Sequence, residues 1–372
     1  MNFARDIEVI ESVVRGGDPA FESVPGTTLD QALLGLNTCA QQADKDAFLM
    51  AAMQVVALAG NGHSRLIPNA TISVVPRRIV MRDGQPSMVE DGRVHRILSV
   101  DGASYDQLLA AWSGLLAGNA ARYRVLSGIM MAWPAALRWA GVGRGRDIRY
   151  LLGTGQERAF STQDIVPALP LYPVAETGAV DPFEDDHGLA GGSVLELRSG
   201  VWWWRIADLK SLDVAQVTQG VSQMVAQPGA NVVIDLRGNP GGSFLNAMPL
   251  IDWLRAQWRG ARCAVLVDAY TFSAAIVTAA LLAHHLGPRA RVFGGDMGDD
   301  LAFFAEGGTI VLQDTGAHLR HATARHDWDT GRVAPSTPPE IAAHLVAAGP
   351  LDVTQIKRAN QAQTALAFVR GA

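Results

Sequence analysis

The stretch Asn231-Val-Val-Ile-Asp-Leu-Arg-Gly-Asn-Pro-Gly-Gly242 decides the fold, because an apolar run leads directly into a glycine-rich turn. Residues 232–236 are short in extent and rich in β-branched side chains, which predicts a buried strand. Glycines in the turn allow positive φ and the close approach of another molecule. Because backbone N–H groups just beyond a strand can hold an anion or a developing oxyanion, we expect a functional loop at residues 238–242.

A second predicted strand, Cys263-Ala-Val-Leu-Val267, precedes the segment Tyr270-Thr-Phe-Ser-Ala-Ala275, which opens an apolar helix. Ser273 would lie in the first turn of that helix, with its hydroxyl and the Ala274 amide at the positive end of the helix dipole. Serine is also an ordinary N-cap residue, so the position alone leaves both roles open. Together with the glycine turn, the segment suggests a serine nucleophile beside an oxyanion hole.

Predicted strands and helices alternate from Ser193 onward. The strands are 193–197, 201–206, 232–236, 264–267 and 292–293, and the helices lie near 214–226, 244–257 and 272–286. This alternation predicts crossover connections and a core of mostly parallel strands. Ligand sites in such sheets gather at the carboxyl ends of the strands, where both special loops would lie.

The predicted fold class is α/β, with three domains. Helical spacing of apolar residues over 4–14, 28–42 and 44–58 predicts an N-terminal helical domain, residues 1–64. Residues 65–190 form a small mixed, β-rich subdomain with strands at 71–75, 78–82 and 96–100, a helical stretch at 119–137 and a linker at 172–192. Residues 191–372 form the predicted catalytic core.

The overall composition argues against several classes of partner. The 372 residues carry a net charge of −5, which gives no broad attraction to nucleic acid or to an anionic membrane. The two cysteines, Cys39 and Cys263, fit no disulfide framework or zinc site, and no metal or cofactor is expected. Because no secretory signal or membrane-length apolar run is seen, we expect a cytoplasmic protein, and the oligomeric state stays open.

His63 is the best candidate for a general base among nine histidines. It follows a helix stop in Gly60-Asn-Gly-His-Ser-Arg-Leu66 and is therefore expected to project from a tight turn. A neutral imidazole with an unperturbed pKa of about 6.5 can take a serine proton. A hydrogen-bonded turn histidine is the ordinary alternative.

An acidic third group usually orients the imidazole of such a pair. Asp327 and Asp329 lie just before a Pro-rich turn, and Asp235 ends the strand before the glycine turn. Spacing does not choose among them. The expected role of Asp235 is a salt bridge or support of the loop, with Arg237 as its partner.

The run Trp202-Trp-Trp204 is unusual for a strand. Trp202 and Trp204 would face one way and Trp203 the other. Packing in the core is the ordinary interpretation, and a wall of an apolar substrate pocket is the alternative. Trp202 and Trp204 are therefore candidate substrate contacts.

Four segments together resemble the C-terminal processing, or tail-specific, serine peptidases, in the branch that includes the tricorn core and the interphotoreceptor retinoid-binding repeats. In the family's order they are Gly60-Asn-Gly-His-Ser-Arg-Leu66, Val233-Ile-Asp-Leu-Arg-Gly-Asn-Pro-Gly-Gly242, Val265-Leu-Val-Asp-Ala-Tyr-Thr-Phe-Ser-Ala-Ala275 and Gly331-Arg-Val-Ala-Pro-Ser-Thr-Pro-Pro339. The resemblance implies a crotonase/Clp-protease-like core with Ser273 as nucleophile. It also implies an oxyanion hole built from the Ala274 amide and the amide of Gly241 or Gly242.

The two branches of this family differ in the base. The bacterial tail-specific branch uses a lysine some two dozen residues after the serine, and the stretch 293–300 contains none. The tricorn-like branch uses a histidine that matches His63, with a carboxylate shortly before the Pro-rich tail. Counting back from Val333 places that acid nearest Asp329, where the family has glutamate. Asp327 is the alternative.

The function expected from these residues is that of a serine peptidase that cleaves a peptide or related acyl bond through an acyl-enzyme. One alternative is an apolar-ligand-binding protein that has lost efficient catalysis, suggested by the tryptophan run and by the divergent segment Gly294-Gly-Asp-Met-Gly-Asp299. Another is an acyl transferase or cyclase on the same scaffold. Fold resemblance alone does not decide among them.

Overall fold

The structure is a computed structural model that describes residues 2–68, 72–77, 79–82, 84–90, 93–165, 193–226, 230–258, 262–354, 356 and 361–371. The predicted linker at 172–192 lies outside the described residues. The chain divides into two compact units. The first comprises Met1–Pro182 with Phe304–Arg325, and the second comprises Phe183–Phe303 with His326–Ala372.

The first three helices begin and end within two residues of the predicted ranges 4–14, 28–42 and 44–58. Numbered along the chain, the helices of the first unit are α1 Ala4–Ser12, α2 Gly26–Ala40, α3 Lys45–Ala57, α4 Tyr105–Ala111, α5 Ala120–Ala132 and α6 Pro134–Trp139. The Asp44 carboxylate caps α3 by accepting hydrogen bonds from the Asp46 and Ala47 amides at 2.9 and 3.2 Å. Pro134 opens α6, so the predicted single helix at 119–137 is instead two helices.

The sheets of the first unit are antiparallel. Their strands are β1 Arg65–Ile67, β2 Ile72–Val74, β3 Ile79–Arg82, β4 Gln85–Glu90, β5 Arg93–Val100, β6 Ala103–Ser104, β7 Asp147–Leu152, β8 Glu157–Ser161, β9 Gln163–Ile165, β16 Gly308–Val311 and β17 His318–His321. They form one sheet in the order β3-β4-β5-β7-β8 with β6 on β5, a second in the order β1-β17-β16, and the pair β2-β9. The pairing of β1 with β17 explains why 304–325 belongs to this unit, and it differs from the predicted three-domain division.

The second unit is built on a five-stranded sheet in the order β10-β11-β12-β13-β14. Its strands are β10 Val194–Arg198, β11 Val201–Arg205, β12 Asn231–Asp235, β13 Cys263–Val267 and β14 Ala290–Gly294. Its helices are α7 Val214–Val225, α8 Met248–Ala256, α9 Ala274–Leu286, α10 Pro339–Ala348 and α11 Gln361–Arg370. The pair β15 Ala302–Ala305 and β18 Ala324–Asp327 lies where the chain leaves and re-enters this unit.

Within the five-stranded sheet, the neighbours β11-β12, β12-β13 and β13-β14 are parallel. The edge strand β10 is antiparallel to β11. The prediction of mostly parallel strands is therefore too broad for this mixed α/β chain. Antiparallel strands need only short hairpins, which the turns of the first unit supply, whereas parallel strands need the crossover helices found after β11.

Both faces of the second unit's sheet are buried. One face packs Trp203, Val233, Leu266 and Phe293 against Phe368 and its neighbours on α11. Burial on both faces explains why β12 and β13 are continuous apolar runs rather than alternating ones. Within the described residues, no helix is both long and apolar enough to cross a membrane, and the cytoplasmic location stays a prediction.

Candidate active site

Two loops meet at the carboxyl edge of the parallel strands, the glycine turn after β12 and the segment that joins β13 to α9. The Phe272 amide in the second loop donates a 3.0 Å hydrogen bond to the Asn239 carbonyl in the first. The sheet positions both loops, because adjacent parallel strands end at the same edge.

Ser273 immediately precedes α9, at the N-cap position, but it does not have the geometry of an ordinary N-cap. Its backbone has φ 57° and ψ −126°, and its side chain makes no capping hydrogen bond. A usual N-cap serine is extended and accepts a bond from the second or third helical amide. A non-glycine residue at positive φ costs on the order of 1–3 kcal/mol. The serine is partly exposed, so this costly conformation presents its hydroxyl rather than capping the helix.

The glycine turn lies directly against this serine. A Cβ atom added to Gly241, which has φ 99°, would lie 2.8 Å from the Ser273 Cβ and 3.2 Å from the Ala274 nitrogen. A Cβ on Gly242, at φ 137°, would collide with the backbone of Leu209 and Lys210. Both positions therefore require glycine, as the sequence indicated.

The amides around the serine hydroxyl are not equivalent. The Gly241 amide donates a 2.9 Å hydrogen bond to the Asn239 side-chain oxygen. Neither the Gly242 amide nor the Ala274 amide donates a hydrogen bond to another residue in the described part of the chain. Of the two glycines that the sequence left open, Gly241 already has an acceptor for its amide.

Asn239 holds the glycine turn, a role that the sequence analysis did not single out. Its side chain is fully buried and donates a 2.8 Å hydrogen bond to the Ile206 carbonyl at the end of β11. The same side chain accepts from Gly241, and the backbone carbonyl accepts from Phe272. One residue thus joins three loops. An asparagine between Gly238 and Pro240 was the available signal, but its partners are distant in sequence.

Asp268 fixes the other side of the same pair of loops. Its Oδ1 atom accepts hydrogen bonds from the amides of Gly238, Tyr270 and Thr271, each at 3.0 Å. Burial raises the pKa of the Asp268 carboxyl, and the Gly238 hydrogen bond and the Arg237 charge oppose that rise. The Thr271 hydroxyl adds a further tie by donating to the Leu236 carbonyl at 2.9 Å.

Asp235 forms the salt bridge that the sequence predicted. Its carboxylate accepts from Arg237 at 2.9 Å from Nε and 2.7 Å from Nη2, while Arg205 approaches to 3.6 Å. The Asp235 side chain is fully buried, and a buried carboxylate needs such partners. It supports the start of the glycine turn.

The divergent segment after β14 packs against the loop that carries the serine. The Gly298 amide donates a 2.8 Å hydrogen bond to the Thr271 carbonyl. A Cβ on Gly298 would lie 2.7 Å from the Ala269 carbonyl oxygen, so a larger residue would push the two segments apart. The segment therefore still supports the serine loop despite its altered sequence.

His63 lies in the first unit, on a turn that is tied down on both sides of it. The Asn61 side-chain Nδ2 donates to the Ser64 hydroxyl at 2.8 Å, and that hydroxyl donates to the Asp18 carboxylate at 2.6 Å. Asp18 also accepts from the Ala322 amide at 3.0 Å. The two ring nitrogens of His63 are sealed from solvent. The tight turn that the sequence predicted is thus held by hydrogen bonds.

The two candidate acids in the second unit differ in burial. Asp327 is 6% exposed, ends β18 and accepts a 3.1 Å hydrogen bond from the Thr330 amide. Asp329 is exposed, so its carboxylate is solvated. As the candidate acid, Asp327 is therefore favoured over Asp329 by its burial. Across the described residues, no three His, Cys, Asp or Glu side chains lie together as a metal ion would require.

The tryptophan run belongs to the core. Trp202 and Trp204 are 8% and 4% exposed. A Cβ on Gly220 of α7 would lie 2.6 Å from the Trp204 ring, so this indole packs directly on the helix backbone. The ordinary interpretation fits, and the burial of both indoles argues against their role as substrate contacts.

The fold has counterparts among solved structures. Mature CPAF shares it with a TM-score of 0.60 at 12% sequence identity, over 100% of this chain and 98% of that one. Mature CPAF complexed with lactacystin has a TM-score of 0.52 at 13% sequence identity, over 86% of this chain and 89% of that one. The photosystem II D1 C-terminal processing protease has a TM-score of 0.39 at 14% sequence identity, over 87% of this chain and 88% of that one.

These similarities concern the fold alone, because the sequence identities to mature CPAF are 12% and 13%. In particular, the fold is that of mature CPAF over nearly the whole length of both chains. No protein-family model matches the sequence, and no curated protein does.

Proposed function

We propose that the protein is a serine peptidase that forms an acyl-enzyme on Ser273. The observation that carries this proposal is the backbone of Ser273, at φ 57° and ψ −126° without a capping bond, directly against the glycine turn. A sharp, strained turn between a strand and a helix is also how α/β-hydrolases expose their serine nucleophile. The shared fold with mature CPAF supports the class, as does the four-segment resemblance. We further assign the second unit's sheet to the crotonase/Clp-protease type.

In the proposed mechanism, the Ser273 oxygen attacks the carbonyl carbon of the scissile bond. His63 takes the serine proton as the new C–O bond forms, and it then gives that proton to the leaving amine. Water repeats the sequence on the acyl-enzyme, releases the acid and restores the serine. The assignment of His63 depends on the matching Gly60–Leu66 segment and on the absence of a lysine in residues 293–300.

The developing oxyanion would be held by the amides of Gly242 and Ala274. The support for Gly242 over Gly241 is that the Gly241 amide already donates to Asn239. Preorganised donors are worth most where the negative charge appears, and the loss of one typically costs about 3–4 kcal/mol of transition-state stabilisation.

Asp327 is the acid that we assign to orient His63, in preference to Asp329. A buried carboxylate keeps its charge close to a partner, whereas a solvated carboxylate is screened and free to move. The proposed substrate class is a peptide, because the four segments resemble a family of peptidases.

A fluorophosphonate probe tests the proposal on the intact protein. We expect stoichiometric modification at Ser273, found by peptide mass spectrometry, and its loss in Ser273→Ala. Ser222→Ala is the matched control, because Ser222 lies on α7 in the same unit and bonds only locally, to the Thr218 carbonyl. His63→Gln should slow labelling strongly, and His95→Gln on β5 should not.

Retained labelling of Ser273→Ala would refute the assignment. Unlabelled wild-type protein that still binds apolar ligands would favour the binding-protein alternative. If labelling succeeds, mass spectrometry of the products separates hydrolysis from acyl transfer, because a transferase joins the acyl group to an amine instead of water.

A further inference from the structure

A third loop of the second unit touches the glycine turn beside the candidate nucleophile. This loop, residues 207–212 (the Leu209 loop), follows β11, and the Leu209 side chain is 0% exposed. A Cβ on Gly241 would meet the Ser273 Cβ at 2.8 Å, whereas a Cβ on Gly242 would meet the backbone of Leu209. The turn therefore contacts the serine-bearing loop and the Leu209 loop through adjacent residues.

The main chain of Leu209 is bonded to the residues on both sides of Gly242. Its N–H donates to the Gly241 carbonyl at 2.9 Å, and its carbonyl accepts from the Ser243 amide at 3.4 Å. These two bonds form a single parallel β-bridge between Leu209 and Gly242. In such a bridge the N–H of the enclosed residue, here Gly242, points away from the bridging strand.

The first of these bonds restrains the direction of the Gly242 amide. The Gly241 carbonyl and the Gly242 N–H belong to one planar trans peptide group, so they point in opposite directions. Rotation of this group would turn the N–H elsewhere, but it would also break the 2.9 Å bond from Leu209. Glycines at φ 99° and 137° flank the peptide, and glycine backbone is otherwise permissive of such a rotation.

Asp208 holds the Leu209 loop in shape. Its carboxylate accepts hydrogen bonds from the amides of Lys210 and Ser211 at 2.8 and 2.6 Å, and from the Ser211 hydroxyl at 2.6 Å. Burial tends to raise the pKa of the Asp208 carboxyl, but these bonds and the Lys210 charge lower it below its usual value. The carboxylate is therefore charged at neutral pH and closes the loop around Leu209.

We propose that Leu209 and Asp208 are positioning residues, and that the Leu209 loop keeps the Gly242 N–H aimed at the developing oxyanion. This inference rests on the proposed function of Ser273. Leu209 acts through the Gly241–Gly242 peptide, and Asp208 acts through Leu209. A donor that is fixed in advance stabilises the transition state without reorganisation, so a donor that can rotate is worth less.

Replacement of Leu209 by its α-hydroxy acid in the full-length protein removes this N–H and keeps the side chain. We expect the rate constant of fluorophosphonate labelling at saturating probe to fall about tenfold, less than the roughly 10²–10³-fold cost of deleting a donor. The half-saturating probe concentration should stay unchanged, because the weakened interaction is made in the transition state. The same replacement at Leu312 is the control, since Leu312 is also 0% exposed and donates to the Ala317 carbonyl at 2.8 Å in the first unit.

Asp208→Ala tests the same restraint through a side chain outside the core. It should slow labelling about three- to tenfold, again less than deletion of a donor. Asp208→Asn should restore most of the rate, because its amide oxygen can still accept from Lys210 and Ser211. Asp44→Ala is the control, since Asp44 likewise accepts from two following amides, at 2.9 and 3.2 Å, but at the start of α3. It should leave the rate unchanged.

An undiminished rate in the Leu209 replacement or in Asp208→Ala, with the wild type labelled at Ser273, would overturn this inference and leave the proposed function intact. An equal loss of rate in the Leu312 or Asp44 control would do the same, as would a change confined to the half-saturating concentration. If circular dichroism shows that the Leu209 replacement does not fold, the Asp208 variants decide alone. An unlabelled wild type would refute the proposed function, and this inference with it.

Discussion

The backbone amide of Phe272 donates a 3.0 Å hydrogen bond to the backbone carbonyl of Asn239, and this bond joins the serine-bearing loop to the glycine turn. Phe272 immediately precedes the candidate nucleophile, and Asn239 precedes the two glycines by two and three positions. The position of Ser273 relative to the amides of Gly242 and Ala274 therefore depends on Asn239 as well as on the glycines.

Asn239→Ala should slow fluorophosphonate labelling of Ser273 by about 10²-fold, because the oxyanion turn loses its support. It should also lower the free energy of unfolding by about 1–3 kcal/mol, since the buried Gly241 amide and Ile206 carbonyl lose their partner. Asn37→Ala is the control, because the Asn37 side chain also donates to a carbonyl, that of Leu33 at 2.8 Å, but within α2 of the first unit. Equal rates for the two variants would contradict the role of Asn239.

Gly241→Ala should abolish labelling, whereas Gly200→Ala should leave its rate unchanged. Both glycines have positive φ, at 99° and 77°, so both variants carry the backbone penalty. Only the new methyl group at 241 meets the Ser273 Cβ, at 2.8 Å, while nothing lies within 4 Å of a Cβ at 200. Rate constants from time courses of labelling check this expectation, and rapid labelling of Gly241→Ala would show that the turn is not part of the site.

Asp327→Asn should slow labelling by roughly 10²–10⁴-fold, as expected when the group that orients a catalytic histidine loses its charge. Asparagine keeps an oxygen that can accept from Thr330, so the local turn is preserved. Asp329→Asn should change the rate by less than about twofold, because an exposed charge interacts weakly. A larger loss of rate in Asp329→Asn than in Asp327→Asn would instead favour Asp329 as the acid that orients His63.

Gly220→Ala should destabilise the protein by about 1–3 kcal/mol, because the added methyl group overlaps the Trp204 ring at 2.6 Å. Gly35→Ala, also within a helix, should stabilise it by about 0.5–1 kcal/mol, since nothing lies within 4 Å and alanine favours helix. Denaturant unfolding measures both. A neutral or stabilising effect at Gly220 would mean that Trp204 does not pack on α7 as described.

Asp268→Asn should change how stability depends on pH. Burial raises the pKa of Asp268 above 3.8 in the folded protein, so the folded chain holds this proton more tightly than the unfolded chain. The group therefore contributes most to the free energy of unfolding below pH 3.8, and the contribution is lost as pH rises through the folded pKa. The stability of the wild type minus that of Asp268→Asn should fall from about pH 3 to pH 7. A difference that rises over this range would mean that the folded pKa is lowered.

Elements encoded by local patterns were predictable from the sequence. The helix predicted at 44–58 is α3, Lys45–Ala57, because Asp44 and the apolar spacing act within a few residues. The strand predicted at 232–236 is β12, Asn231–Asp235, and the glycine turn and Ser273 lie at the predicted edge of the sheet. Strand β4 was not predicted, because Gln85-Pro-Ser-Met-Val-Glu90 lacks a clear apolar alternation.

Features that depend on distant partners could not be read from the sequence. Nothing local to Arg65 indicates that β1 pairs with β17. The burial that separates Asp327 from Asp329 and the three loops joined by Asn239 likewise follow from tertiary packing. The tryptophan run was ambiguous for the same reason, because only the approach of Gly220 shows where Trp204 packs.

The pairing of β1 with β17 also bears on the order in which the chain can fold during synthesis. Domains usually form in the order in which they leave the ribosome. Here neither unit is complete early in synthesis: the amino-terminal unit needs β17, and α11, which covers one face of the second unit's sheet, is made later still. Nascent chains stalled between β14 and β17 should therefore leave β1 without its partner strand.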